Sequence, residues 1–343
     1  MTDTSIFASA PETLRPAIER AVLAAFGAAP EAVEPLYGGQ SGALTLKLTV
    51  GGRAYVLRAV QDRTQLSDPQ RQFAALEIAS ALGAAPPVRW SDTETGICIM
   101  DFIAAQPLIP ALHAGQASAA QLGELLRTVH GGPEFVAFLD AFGFIDGGLA
   151  TLSGMTLPGP LSAYLERFGP VRAALQPHMT MAPCHHDPNP GNLLFDGERV
   201  WLIDWETACM DDPYFDVAAV IIWVAGTPAL EEELLRGYFQ GAPTAWQLAK
   251  LELMKQVVFC FYGIVFCLIS LRGGQAALDA GAAKVPARFG EALLMVGAGE
   301  LVLGVPADGV SFGLSMVREA LLMQERPEFA AALALLGAEA PAA

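Results

Sequence analysis

The chain has few cysteines, little charge for its length and a shortage of basic residues. Its cysteines form no Cys-x-x-Cys pair, so neither a disulfide framework nor a zinc knuckle is expected, and a reducing compartment is indicated. With 20 Lys and Arg against 36 Asp and Glu, the formal net charge is −16. A nucleic-acid partner is not expected, because there is no basic face to release counterions from phosphate. The acidity suits attraction of a cation, and serves solubility equally well.

The sequence also lacks the features of a membrane or exported protein. Asp3 and Glu12 stand where a signal peptide has basic residues, and no long apolar segment follows. The longest apolar run, Val257 to Leu271, has 15 residues and contains Gly263 and Ser270. That is short of the roughly 20 residues that a transmembrane helix needs. We therefore expect no membrane segment and a cytoplasmic protein.

The most informative stretch runs from residue 184 to residue 206. The spacing His185-x-Asp187-x-x-x-x-Asn192, with Asp204 on the following strand, is close to the protein-kinase catalytic-loop pattern. In phosphoryl transfer one carboxylate orients the attacking hydroxyl and takes its proton, while an amide and a second carboxylate hold magnesium. A Pro-rich surface turn would explain either motif alone, but the two together indicate kinase chemistry.

The residues between Asn192 and Asp204 predict a β-hairpin around Asp-Gly. With a three-residue turn over residues 196–198, Asn192 faces Leu202, and Asp204 then shares a face with Asn192 because side chains alternate with period two. A two-residue turn would place them on opposite faces. We therefore expect the longer turn, with Gly197 in a left-handed conformation.

Three segments resemble one known superfamily: Cys184 to Asn192, Trp201 to Glu206 and Asp212 to Asp216. They are similar to the aminoglycoside phosphotransferase and choline kinase superfamily, and most of all to its choline/ethanolamine kinase-like branch. The resemblance implies an α+β, bilobal, protein-kinase-like fold. A small N-terminal lobe of antiparallel sheet plus helix is expected over residues 1–103, and a larger, mainly helical C-terminal lobe over residues 104–343.

The resemblance also implies roles for individual residues. Asp187 would be the catalytic base, in a loop that begins with His185. Asn192 and Asp204 would bind Mg²⁺, and Asp216 would brace the catalytic loop. For Asp216 the alternative is a first-turn carboxylate that only favours the helix dipole.

The expected nucleotide contacts begin in the first lobe. A glycine-rich stretch with Gly39 and Ser41 precedes a confident hairpin over residues 44–58, so its backbone amides would cover the phosphates of ATP; the alternative is a plain connector. Arg58 ends this hairpin where kinases keep the lysine that contacts the α- and β-phosphates. A guanidinium can make that contact bidentately; the alternative is a strand-end surface arginine.

A helix is predicted over residues 69–82, from an Asp-Pro start to a glycine stop. In the family a glutamate of this helix pairs with the phosphate-binding cation, but that position falls on Gln72. Gln72 can hydrogen-bond Arg58 without balancing its charge, whereas Glu77 could balance it if the helix is rotated. The partner of Arg58 stays open at this stage.

The strand from Gly96 to Ile103 resembles the segment that joins the two lobes. The backbone at Met100, Asp101 and Ile103 is expected to meet the adenine; a sheet strand without ligand contact is the alternative. Further along, aromatic residues in a helix predicted over residues 245–271 form either core or a pocket for a quaternary ammonium group.

We expect a kinase that transfers the γ-phosphoryl of ATP, with Mg²⁺, to a hydroxyl of a small cationic molecule such as choline or a related amino alcohol. Aminoglycosides and thiamine remain open as acceptors, and the protein is expected to be a monomer or homodimer. A regulatory pseudokinase is the alternative of another class, favoured only by Gln72. A metal-dependent hydrolase built on His185, His186 and Asp187 is a third, which predicts a tightly bound transition metal.

Overall fold

The structure is a computed structural model that describes residues 6–36, 42–65 and 67–338. The chain forms two compact units. Unit 1 contains residues 1–137, 182–210 and 223–241, and unit 2 contains residues 138–181, 211–222 and 242–343. Unit 1 therefore continues past Ile103 and includes the segment that carries Asp187, Asn192 and Asp204. The boundary expected after residue 103 does not coincide with the division between these two units. The division into a nucleotide-binding lobe and a substrate-binding lobe stays a prediction.

Unit 1 contains an antiparallel five-stranded sheet in the order β1-β2-β3-β5-β4. Its strands are β1 (Ala32–Pro35), β2 (Leu44–Val50), β3 (Arg53–Ala59), β4 (Val88–Asp92) and β5 (Ile97–Asp101). The predicted β2–β3 hairpin is confirmed. Its turn residues Gly51 and Gly52 both have positive φ, which explains the Gly-Gly pair.

One face of this sheet forms an apolar core with the first helix, α1 (Arg15–Phe26). Alternate residues of the strands are buried there, among them Leu46, Leu48 and Leu57, and α1 contributes Ile18. The period-two pattern of β2 and β3 thus buries every second side chain, as expected for a half-covered sheet. This core supports the strand that carries Arg58.

The next helix, α2 (Pro69–Ala81), matches the predicted one and begins at a capping residue. The Asp68 carboxylate accepts a hydrogen bond from the backbone N–H of Gln70 at 3.0 Å, and proline occupies the first helical turn. Gly83 follows with φ of +72°, so the glycine stop is also confirmed.

The remainder of unit 1 consists of three helices and short strands. They are α3 (Leu108–His113), α4 (Ala119–His130), β6 (Ala182–Cys184), β7 (Leu193–Phe195), β8 (Val200–Leu202) and α8 (Pro228–Phe239), while β9 (Cys209–Asp211) begins in unit 1. β6 pairs with β9, and β7 pairs with β8. These two small sheets flank the segment with the kinase-like motif.

Helices α4 and α8 pack closely enough to require glycine. A Cβ atom on Gly237 would collide with the backbone carbonyl of Ala120. We predict that Gly237→Ala lowers the free energy of unfolding by about 1–3 kcal/mol through overpacking. Gly147→Ala is the matched control: this helical glycine has open space around its Cβ position, so alanine should stabilise by about 0.5–1 kcal/mol. Urea unfolding of both variants measures the difference, and an equal response would contradict it.

Unit 2 is helical. Its helices are α5 (Ala141–Thr151), α6 (Gly159–Leu175), α7 (Tyr214–Val220), α9 (Ala245–Ile269), α10 (Gly274–Ala282), α11 (Phe289–Gly297), α12 (Pro306–Gln324) and α13 (Pro327–Ala338). Among the described residues one helical stretch, Ala245–Ala282, is long and apolar enough to cross a membrane, so the apolar character extends beyond the run seen in the sequence. However, 61% of its most apolar window is buried, which is the behaviour of a core helix.

Candidate active site

The carboxylate of Asp187 is held by two side-chain amides. Asn189 Nδ2 donates a hydrogen bond to Asp187 Oδ1 at 3.0 Å, and Asn192 Nδ2 donates to Asp187 Oδ2 at 3.2 Å. Asn192 Nδ2 also reaches the Asp187 carbonyl at 2.9 Å. Because Asn192 uses its amide nitrogen here, its amide oxygen is the end available to a cation. The loop thus fixes the orientation of Asp187 and of the Asn192 oxygen together.

His185 is buried and ties the backbone of this loop to the end of the β7–β8 hairpin. Its Nε2 lies 2.9 Å from the Ile203 carbonyl, and its Nδ1 accepts the backbone N–H of Asp187 at 3.3 Å. A carbonyl can only accept, so Nε2 carries a proton, while Nδ1 acts as an acceptor. The edge of the ring meets Trp205, with centroids 4.7 Å apart. These contacts position the loop that presents Asp187.

The β7–β8 hairpin is present, but its predicted register is wrong by one residue. Leu193, and not Asn192, lies opposite Leu202, so the turn has four residues, 196–199. The Asp196 carboxylate explains the longer turn, because it accepts the backbone N–H groups of Glu198 and Arg199, each at 2.9 Å. Gly197 has φ of +103°, so the expected positive φ is confirmed.

In this register a continued strand would turn Asp204 away from the face of Asn192. Instead the strand ends at Leu202, and Asp204 itself adopts the left-handed conformation with φ 65° and ψ 68°. Asp tolerates this backbone better than most residues. The alternation is broken, a short helical turn follows over Trp205–Thr207, and the Asp204 carboxylate reaches Arg58.

Arg58, at the end of β3, is an ion-pair partner of two carboxylates. Its Nη1 lies 2.7 Å from Asp204 Oδ1, and its Nη2 donates to Glu206 Oε2 at 2.9 Å. Burial by itself would lower the pKa of Arg58, but the nearby carboxylates of Asp204 and Glu206 outweigh it and raise the pKa. Arg58 therefore stays charged. Glu206 has no role in the sequence prediction, although it stands two residues after Asp204.

Helix α2 does not supply these two carboxylates. The side-chain amide of Gln72 donates to the carbonyl of Ser67 at 3.3 Å, and the Glu77 carboxylate accepts a hydrogen bond from the Ser91 hydroxyl. The charge partner of Arg58 is therefore neither Gln72 nor Glu77, the two candidates from the sequence, and Glu206 was not among those candidates.

Negative charge is concentrated around Glu206. Burial and, next, the charge of Asp204 raise the pKa of Glu206 to about 7; Arg58 opposes this shift, and Asp187 adds a weaker raising effect. Three carboxylates thus share a small region beside the amide of Asn192. Oxygen donors of this kind, in an environment of excess negative charge, suit a hard divalent cation such as Mg²⁺. The residues present therefore fit the metal that the sequence predicts.

The predicted adenine segment is the end of β5 and the residues after it. Met100 is buried within the sheet, and the Asp101 carboxylate forms a two-point ion pair with Arg89, with both N–O distances 2.6 Å. Among the described residues no hydrogen-bond partner is found for the backbone N–H of Ile103. Side chains of this segment are thus engaged in the protein, while a backbone donor is left for a ligand.

Two predicted phosphate-loop residues, Gly39 and Ser41, lie outside the described residues. The remaining predicted site residue, Asp216, is buried in unit 2 in the first turn of α7.

The start of helix α7 is fixed by a buried ion pair that the sequence did not reveal. Asp212 accepts the backbone N–H of Tyr214 at 3.0 Å and that of Thr180 at 2.9 Å, and it pairs with Lys250 Nζ at 2.5 Å. Lys250 also donates to the His178 carbonyl at 2.7 Å. Burial raises the pKa of Asp212, and Lys250 opposes that shift. Lys250 shares α9 with Glu252 and Lys255, so its place in the sequence did not mark it as the buried lysine.

The antiparallel sheet with the partly buried Arg58, the loop with Asp187 and Asn192, and Asp204 at the end of the hairpin together define a protein-kinase-like phosphotransferase. A family model described as "Phosphotransferase enzyme family" matches residues 32–251, which is more than half of the chain. The chain therefore belongs to this family. It is an ATP-dependent phosphotransferase whose acceptor is an alcohol group.

Two curated relatives and two solved structures are similar to this chain. The chain is 25% and 26% identical over 186 residues to two LicA proteins of Haemophilus influenzae; each match spans 51% of this chain, and 67% and 53% of the relatives. A solved choline/ethanolamine kinase family protein from Mesorhizobium loti has a TM-score of 0.66 and 26% identity, covering 90% of this chain and 92% of its own. Choline kinase LicA from Streptococcus pneumoniae has a TM-score of 0.59, 20% identity and coverage of 73% and 89%, a likeness of fold.

Proposed function

We propose that the protein transfers the γ-phosphoryl group of ATP to the hydroxyl of a small cationic amino alcohol, with choline as the favoured acceptor. The observation that carries the chemistry is the Asp187 carboxylate, held between the amides of Asn189 and Asn192. Support for the acceptor comes from the similarity to a choline/ethanolamine kinase family protein over 90% of the chain. The net charge of −16 also favours a cationic substrate.

In the proposed reaction Asp187 accepts the proton of the acceptor hydroxyl. The acceptor oxygen forms a bond to the γ-phosphorus of ATP, and the bond from that phosphorus to the bridging oxygen breaks, so that ADP leaves with the electron pair. Both oxygens of Asp187 already accept hydrogen bonds, which aim the carboxylate. His185 contributes by holding the backbone N–H of Asp187.

The phosphates and the cation would be held by residues around the same loop. The amide oxygen of Asn192 and the carboxylate of Asp204 would bind Mg²⁺, which when bound neutralises negative charge on the phosphates. Arg58 would contact the α- and β-phosphates, and its ion pair with Asp204 shows that it already lies beside the proposed metal ligand. Gly39 and Ser41 would cover the phosphates from the loop before β2.

Two further proposals complete the site. The backbone at Met100, Asp101 and Ile103 would contact the adenine, and the N–H of Ile103 is the donor best suited to it. Asp216 would brace the catalytic loop; its support is burial of a carboxylate that a dipole contact alone would not require.

A coupled ADP-release assay with Mg-ATP tests the acceptor. We expect release that depends on choline, with ethanolamine as a weaker acceptor because it lacks the quaternary ammonium group. Thiamine and a set of aminoglycosides serve as comparison acceptors. Release that depends on an aminoglycoside but not on choline would contradict the proposed acceptor and favour antibiotic phosphorylation, whereas release that depends on thiamine would indicate a thiamine kinase.

A further inference from the structure

We infer that Glu206 is the residue that positions Arg58 for the phosphates of the nucleotide. In protein kinases a glutamate of the helix that follows the strand with the phosphate-binding lysine pairs with that lysine. Here the position expected for that glutamate is Gln72, and the structure pairs Arg58 with a carboxylate of the segment after the catalytic loop instead. The inference rests on the proposed phosphate contact of Arg58 and adds a residue that this contact depends on.

The guanidinium geometry allows Glu206 to keep its contact while Asp204 changes partner. Arg58 uses Nη1 for Asp204, at 2.7 Å, and Nη2 for Glu206, at 2.9 Å. Because each carboxylate contacts a different nitrogen of Arg58, Asp204 could bind a metal ion while the bond between Arg58 and Glu206 stays intact. A planar guanidinium with one nitrogen fixed in this way is held in orientation, and its other donors can face phosphate oxygens.

Hydrogen bonds of the residues on either side of Glu206 hold the short turn Trp205–Thr207 in place. Before it, Trp205 Nε1 donates to the carbonyl of Leu202 at 3.2 Å. After it, Thr207 Oγ1 donates to the carbonyl of His185 at 3.1 Å. Trp205 also packs against the His185 ring. Glu206 is therefore presented from a fixed backbone, as a residue that orients another side chain must be.

Helix α2 supports this turn. Arg71 is 3% exposed, and its Nη1 donates to the carbonyl of Ala208 at 3.0 Å. The neighbouring Gln72 amide bonds to Ser67 within its own segment. Helix α2 thus acts on Arg58 indirectly. Its Arg71 holds the backbone at Ala208, just after the turn that carries Glu206.

The experiment is a double-variant cycle of Mg-ADP binding, measured by calorimetry on the full chain. Glu206→Gln should weaken binding about 10- to 100-fold, the effect expected for loss of a charge-assisted hydrogen bond. Glu206→Asp keeps the charge but loses the reach, and should give a similar loss. The Arg58→Met, Glu206→Gln double variant should bind no more weakly than Arg58→Met alone, because Glu206 acts through Arg58. Thermal unfolding checks that each variant is folded.

Glu77→Gln is the matched control. It makes the same chemical change on helix α2, and we expect it to leave Mg-ADP binding unchanged. Losses that add fully in the double variant would overturn the inference. So would recovery of Glu206→Gln at high Mg²⁺ concentration, because added metal compensates for a lost metal ligand and not for a lost partner of Arg58.

This test is separate from the test of the acceptor. Mg-ADP binding requires no acceptor, so a protein that phosphorylates none of the alcohols tried still reports on Glu206 and Arg58. Conversely, a kinase active on choline in which Glu206→Gln binds Mg-ADP as the parent does would retain the proposed function and lose this inference.

Discussion

Replacing Asp187 with Asn should lower kcat by about 10²- to 10⁴-fold, the range expected for loss of a general base. The amide is nearly the same size as the carboxylate, but it has only one acceptor oxygen for the two amide donors of Asn189 and Asn192. It also cannot take a proton from the acceptor hydroxyl. Binding of Mg-ATP should be nearly unchanged, because the proposed phosphate and metal contacts come from other residues. Steady-state kinetics and calorimetry measure the two quantities.

Asp92→Asn provides the matched control for this variant. Asp92 is also a carboxylate with both oxygens engaged, accepting the backbone N–H of Glu94 at 2.9 Å and the hydroxyl of Thr95 at 2.9 Å. It lies at the end of β4, so kcat should stay at the parent value. Unchanged turnover in Asp187→Asn would rule out the proposed base. It would return attention to a nucleotide-binding regulator, for which the loss of this carboxylate has no catalytic cost.

The sequence predicted most of unit 1 because its elements carry strong local signals. The β2–β3 hairpin follows from alternation around Gly51-Gly52, and α2 follows from its proline start and the Gly83 stop. Such signals act within a few residues, so they need no knowledge of distant contacts. The catalytic-loop spacing is local in the same sense, and the structure places the amide of Asn192 against the carboxylate of Asp187.

Local sequence rules did not predict the turn length and the register of the hairpin before Asp204. Turn length depended on the Asp196 carboxylate, which binds two backbone N–H groups and lengthens the turn by one residue. A one-residue slip reverses every later side chain on a regular strand. The left-handed backbone of Asp204 breaks the strand alternation, and its carboxylate lies against Arg58, a contact that the sequence did not predict. Strand periodicity does not predict such a break.

Partners distant in sequence were the least predictable. Arg58 and Glu206 are separated by 148 positions, and Lys250 and Asp212 by 38. Composition gives no direct indication of which carboxylate meets which cation. Lys250 is 1% exposed in the structure, and a lysine buried so deeply needs a partner that can hold its charge, but the sequence does not mark it as buried.

The buried pair of Lys250 and Asp212 leads to the largest expected change in stability. Lys250→Met should lower the free energy of unfolding by about 3–5 kcal/mol, because it leaves the Asp212 carboxylate buried without its counterion. Methionine fills the space of the lysine stem, so the loss reports mainly on charge. Lys284→Met is the matched control. Lys284 is half-exposed, and its partner Asp308 keeps a hydrogen bond from the backbone N–H of Val302, so loss of this ion pair should cost at most about 1 kcal/mol.

The pH dependence of the stability of the Lys250→Met variant shows whether the loss comes from the buried charge of Asp212. Burial already raises the pKa of Asp212 and Lys250 opposes the rise, so the pKa should rise further without Lys250. The native variant then holds a proton that the unfolded chain releases near pH 3.9, roughly the unperturbed value for Asp. Stability should therefore fall as the pH increases through the window between these two pKa values, and lowering the pH through it should recover part of the loss.

A second substitution separates charge from packing. In the double variant Lys250→Met, Asp212→Asn the buried charge is gone, and the amide oxygen can still accept the N–H of Tyr214. The double variant should therefore be more stable at neutral pH than Lys250→Met alone, and its stability should lose the acid-dependent recovery. Urea unfolding at several pH values measures all three chains. If the single and double variants lose stability equally at every pH, the loss comes from packing around α9, and the ion pair is not what holds the start of α7.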